Sequence, residues 1–171
     1  MGDRTYLQLT LHGRIRTVAD VQKIVEAIVR EGFDETSVDG IYADFAAVGG
    51  QYPNPTFEMQ ECNYANIDDL ELVLQTCRVA WQVSHGAGGE YQAGNRSWHP
   101  AWGYAESGDG VIDVGLLRVA VAHRRTKDQL RRLLKIHDRA NGNNFPVFSM
   151  APEVTRFVAT KVAAAALGVK E

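Results

Sequence analysis

Residues 6–12 alternate between apolar and polar side chains, with Leu7, Leu9 and Leu11 on one side and Gln8, Thr10 and His12 on the other. That is the period of a half-buried strand. Thr17 is a good helix N-cap, and Val18, Val21, Ile24, Val25, Ile28 and Val29 follow at helical spacing until Gly32 stops the helix. Alternation returns over 41–48, where Ile41, Ala43, Phe45 and Ala47 predict a second strand with an inward apolar row. The turn QYPNP leads to a third, 56–62, with Phe57 and Met59 inward and Glu58 and Gln60 outward. Asn66 is placed to cap a long helix over 67–83, whose inner side carries Leu70, Val73, Leu74, Cys77 and Trp81.

Residues 111–123 predict a further strand with Leu117, Val119 and Val121 on one side. Thr126 and Gln129 form a capping box for a third helix that ends at Asn141-Gly142. A short strand over 145–150 precedes Pro152, which suits the first turn of a final helix carrying Val154, Phe157, Val158 and Val162. The expected order is β-α-β-β-α-loop-β-α-β-α. It predicts an α+β fold, a mainly antiparallel sheet flanked by helices, with a ferredoxin-like βαββαβ core and a C-terminal βα extension. A single domain over 1–171 is expected, since no linker or repeat divides the chain.

No regular period runs through 84–110, which holds seven of the sixteen glycines together with Tyr91, Trp98, Trp102 and Tyr104. Disordered linkers are poor in aromatics, so this stretch reads as an ordered surface loop inserted before the fourth core strand, one that binds or shields something.

Charge changes the picture more than composition does. Between Glu31 and Cys77 there are ten acidic residues and no Lys or Arg, whereas the other 124 residues carry 11 acids against 18 bases. The third helix concentrates that excess. On a helical wheel Leu130, Leu133, Leu134, His137 and Ala140 share one side of the 124–141 segment, and Arg124, Arg125, Lys127, Arg131, Arg132, Lys135 and Arg139 share the other. Such a face either binds phosphates or other acidic surfaces, or is a solvated face, self-paired or covered by the acidic segment.

Other chemistry is thin. Cys62 and Cys77 form no metal motif or disulfide framework, so free thiols and no metal or cofactor are expected. The glycines at 86, 88 and 89 lack the third glycine of a dinucleotide-binding loop and follow a predicted helix rather than a strand. His85, Glu90, Arg96 and His99 supply an acid–base alternative, with a histidine as general base, Glu90 as its partner and Arg96 as an anion clamp. The start of the chain has no apolar signal region, and no apolar run is long enough to span a bilayer, so a cytoplasmic protein without a membrane partner is expected.

The resulting expectation is a non-catalytic binding or regulatory protein. It would engage nucleic acid or an acidic protein surface through the basic helix and the aromatic residues Tyr91, Trp98 and Trp102. A small enzyme built on His85 and His99 is the alternative. An acidic decoy for a nucleic-acid-binding protein, using Glu58, Asp68 and Glu71, is a further one. Strand edges left open by the pattern would allow a homo-oligomer.

Overall fold

The structure, a computed structural model, describes residues 4–34, 36–48, 53–63, 65–87, 92–108, 127–142 and 144–168. The fold is α+β: among the described residues five helices accompany a five-stranded antiparallel sheet of order β3-β1-β4-β5-β6. The sheet strands are β1 (Arg4–His12), β3 (Thr56–Asn63), β4 (Ala80–His85), β5 (Gly94–His99) and β6 (Gly103–Gly108). A two-residue parallel ladder joins β2 (Arg14–Ile15) to β7 (Ser149–Met150). The helices are α1 (Val18–Glu31), α2 (Val38–Ala47), α3 (Asp68–Thr76), α4 (Lys127–Ala140) and α5 (Pro152–Ala166). Among the described residues no helix is long and apolar enough to cross a membrane.

Several expected elements stand. Leu7, Leu9 and Leu11 are fully buried along β1, and the Thr17 hydroxyl accepts from the Asp20 N–H to start α1, which ends at left-handed Gly32. Pro152 opens α5, and α4 covers the expected third helix.

Three expectations are corrected. The stretch expected as a strand over 41–48 is helix up to Ala47, because Ser37 caps Gly40 and the buried residues are Ile41, Tyr42 and Phe45. Positions 41 and 45 satisfy both a two-residue and a helical repeat, and it is exposed Ala43 and Ala47 that decide between them. The helix expected over 67–83 ends at Thr76, and the chain turns through Val79 into the strand β4, where Trp81 and Val83 are fully buried. Within 84–110, the stretch expected as a loop contains the β5–β6 hairpin. The βαββαβ order is therefore not the order of the described elements. The predicted strand over 111–123 lies outside the described residues.

The two faces of the sheet differ. One packs Leu7, Leu9, Leu11, Phe57, Trp81 and Val83 against α1, α2, α3 and α5, forming a continuous core with Ile24, Phe45, Leu70 and Val154. Each such side chain fully removed from water contributes roughly 1.5–3 kcal/mol. The other face carries Gln8, Thr10 and His12 of β1, Gln82 and Ser84 of β4, and Asn95, Ser97 and His99 of β5. Its β5–β6 part is covered by α4, which buries Ser97 and Ala140 completely.

Candidate functional site

The chain leaves β1 at Gly13, whose φ of +79° turns it out of the large sheet and into the small ladder. Backbone bonds from Gly13 N–H to the Pro146 carbonyl, from Ser149 N–H to the Gly13 carbonyl and from Ala151 N–H to the Ile15 carbonyl hold this corner. Ile15 is fully buried, so its neighbours Arg14 and Arg16 both face solvent.

A third arginine reaches the same place from another element. Helix α3 closes with Arg78 N–H donating to the Gln75 carbonyl at 3.0 Å and Val79 N–H to the Leu74 carbonyl at 2.9 Å. This paired arrangement demands a left-handed residue between cap and strand, a position usually given to glycine. Here it is Arg78, at φ +55°. A side chain in that conformation costs about 1 kcal/mol or more.

Arg14, Arg16 and Arg78 line one cleft of about 260 Å³, together with His99, Pro100 and Pro146. Among the described residues none of the three is paired with a carboxylate, and no acidic side chain lines the cleft. Like charges gathered on one concavity repel, and an anion placed among them removes that repulsion. Sequence reasoning missed this cleft. Its local signal is a charged residue on either side of Ile15, and the helical period over 67–83 places Arg78 mid-helix.

Behind His99 lies a compact aromatic group. The His99 ring stacks on Trp102 at 3.6 Å between centroids, Phe145 leans on both, and the Arg139 guanidinium sits 5.3 Å from the Trp102 ring centre. The Ser97 hydroxyl donates to the Arg139 carbonyl at 2.7 Å, tying α4 to β5. His12 meets Phe145 edge-on at 4.9 Å. Its ring is buried, and its nitrogens and Trp102 Nε1 make no hydrogen bond of good geometry among the described residues. Burial pushes the His12 pKa down to about 4; the Pro146 carbonyl opposes that shift and the proximity of His99 adds to it. His99 is also lowered, by burial and then by the Arg139 charge. Both imidazoles favour the neutral form.

The acid–base residues expected from sequence are not brought together. His85 pairs with Gly94 and His99 lies at the far end of β5, roughly 17 Å along the strand at about 3.3 Å per residue. The alternation also puts their side chains on opposite faces of the sheet. Arg96 faces the core side, where its Nε donates to Glu71 at 2.7 Å and its terminal nitrogen donates to the Ala65 carbonyl. Burial raises the Glu71 pKa, and the Arg96 charge counteracts that only in part. Trp98 packs against the core beside Trp81. Glu90, Tyr91, Arg124 and Arg125 lie outside the described residues, as does the side chain of Lys127.

On α4, Arg131, Arg132 and Lys135 are exposed and Arg139 is half-buried over Trp102. The helix packs on β5 and β6. Leu130, Leu134 and Ile136 are exposed. The acidic segment supplies α2, β3 and α3, which belong to the layer around the core face. Asp34 accepts the Gln60 N–H at 2.7 Å, and Glu58, on the face of the sheet opposite the core, accepts the amide of its cross-strand neighbour Gln8 at 2.9 Å. Both cysteines are free and buried; burial raises the Cys62 thiol, and pushes that of Cys77 up to about 11 with Asp20 adding to the rise. Among the described residues no group of His, Cys, Asp or Glu is arranged to hold a metal. Comparison with protein-family models, curated proteins and solved structures finds none that matches this chain.

Proposed function

We propose that this is a non-catalytic binding protein that engages a polyanionic partner, the phosphate backbone of nucleic acid or an acidic protein surface, through α4 and the β5–β6 hairpin. The observation that carries the reading is the junction of the two elements. Arg139 lies over Trp102, and its backbone carbonyl accepts from Ser97, so the basic helix is mounted on the aromatic hairpin as one surface. Arg131, Arg132 and Lys135 stand outward from that mount. Trp102 already has His99 stacked against it and Arg139 over its ring, which favours charge recognition over stacking of an inserted base.

The enzyme alternative has less to stand on, because His85 and His99 face opposite sides of the sheet and Arg96 is held by Glu71. The decoy alternative is weakened by the internal hydrogen bonds of Asp34 and Glu58.

The test is a charge-reversed variant, R131E/R132E/K135E, assayed by fluorescence anisotropy on labelled duplex and single-stranded DNA and RNA at several salt concentrations. The native protein is expected to bind with an affinity that falls steeply with salt, and the variant to fold normally and bind at least tenfold more weakly. Unchanged affinity and salt slope in the variant would remove α4 from the interface. If native protein ignores nucleic acid but binds polyglutamate with the same salt dependence, the partner is an acidic protein surface.

A further inference from the structure

We propose that the cleft between the Gly13–Arg16 corner, the α3–β4 turn and the β5–β6 turn is a separate binding site for a phosphate monoester, whose phosphoryl group is held by Arg14, Arg16 and Arg78. The three arginines belong to neither α4 nor the β5–β6 hairpin, so this site does not depend on the reading given above.

Four observations converge on it. Three arginines from two distant parts of the chain line one cleft, and among the described residues no carboxylate is paired with them. Elsewhere the same fold shows what a structural arginine looks like, since Arg96 is bonded to Glu71 and to a backbone carbonyl. Arg78 occupies a left-handed position at which glycine would close α3 without strain. A strained side chain retained where the backbone asks for none points to a use for that side chain. Third, the rest of the wall is Gly13, Ala80, Pro100, Ala101 and Pro146, small or rigid groups that leave the three arginines and His99 as the polar side chains on offer. Fourth, the cleft's volume of about 260 Å³ lies just below the usual range of small-molecule pockets, about 300–1,000 Å³. It suits a phosphoryl group with a small substituent better than a large ligand.

A phosphate monoester matches this donor set better than a carboxylate. It carries close to two negative charges at neutral pH and three terminal oxygens, and guanidinium forks bind such oxygens in pairs. His99 lines the same cleft and reports on it, because a nearby dianion favours the imidazolium.

The site is tested by NMR titration of the full chain with inorganic phosphate, AMP and adenosine, following the Arg14–Arg16 and Arg78 amides and the His99 ring. Phosphate and AMP are expected to give saturable shifts and to raise the His99 pKa by at least half a unit, while adenosine gives neither. R14Q/R16Q and R78G should each weaken AMP binding at least tenfold, with far-UV circular dichroism unchanged, and R131E/R132E/K135E should leave it within twofold. Binding of a 5′-phosphorylated oligonucleotide, but not its 5′-hydroxyl form, tenfold tighter than AMP would identify a strand end as the source of the phosphoryl group. Equal affinity would identify a small ester. Absence of saturable shifts with phosphate and AMP, or AMP binding that survives both arginine variants, would overturn the proposal.

Discussion

Arg96 and Arg78 stand on two regions of the molecule and illustrate two uses of the same side chain. Arg96 projects from β5 toward α3, where a buried carboxylate and a backbone carbonyl take up its donors. Arg78 stands at the end of α3 in a strained conformation, facing a cleft shared with Arg14 and Arg16 and no acid among the described residues. The first region has matched its charges internally; the second gathers three cations that meet no carboxylate among the described residues, and the partner proposed for them is a phosphoryl group. Charge by itself distinguishes nothing here; the supply of partners does.

Breaking the first region has the largest expected effect. Replacing Arg96 by Met leaves the Glu71 carboxylate buried without its cation, and should cost about 3 kcal/mol in urea unfolding. Adding Glu71→Leu to the same chain should restore most of that loss, because a well-packed apolar pair avoids the desolvation that already raises the Glu71 pKa. A loss below about 1 kcal/mol for Arg96→Met would place the pair with ordinary surface ion pairs and dissolve the contrast.

A smaller effect sharpens the contrast from the aromatic group beside the cleft. In the folded chain burial depresses the His12 pKa to about 4 from the ordinary histidine value of 6.5. Between those values the unfolded chain takes up a proton that the folded chain refuses, so the stability His12 contributes is complete above pH 6.5 and falls as the pH drops toward 4. The slope approaches one proton, about 1.4 kcal/mol per pH unit. Urea unfolding of native protein and His12→Leu at pH 7, 6 and 5 should show that the native chain loses more stability on acidification. Parallel curves would mean that the imidazole is solvated in the folded state.

The smallest effect concerns the second region itself. Arg78→Gly removes a cation and relieves a left-handed side chain, while giving up some of the order that a non-glycine residue imposes on the unfolded chain. Thermal unfolding should therefore show stability unchanged or raised by up to about 1 kcal/mol. A clear loss would show that the Arg78 side chain serves the fold, as Arg96 does.

The same contrast explains what was legible along the chain. Elements with local punctuation read directly: the Thr17 cap and Gly32 stop of α1, the leucine alternation of β1 and the Pro152 start of α5. Where punctuation was missing, the reading failed. Arg78 ends α3 without a glycine, so the helix ran on through what is β4. The β5 sequence GNRSWH lacks an apolar row because Arg96 meets Glu71 on one face while Asn95 and Ser97 are buried on the other, Ser97 beneath α4.

What the sequence alone determined is therefore the α+β class, the basic helix and the sorting of acids from bases, since these depend on neighbours within a few turns or strand repeats. Only the tertiary structure decided which charges are spent and which remain. It paired Arg96 with Glu71 across 25 positions of sequence and gathered Arg14, Arg16 and Arg78 in one cleft. It also placed His85 and His99 on opposite faces of the sheet. The physical reason is that charge pairing and burial act through space over a few ångströms, while sequence periodicity records only which way each side chain leaves its own element.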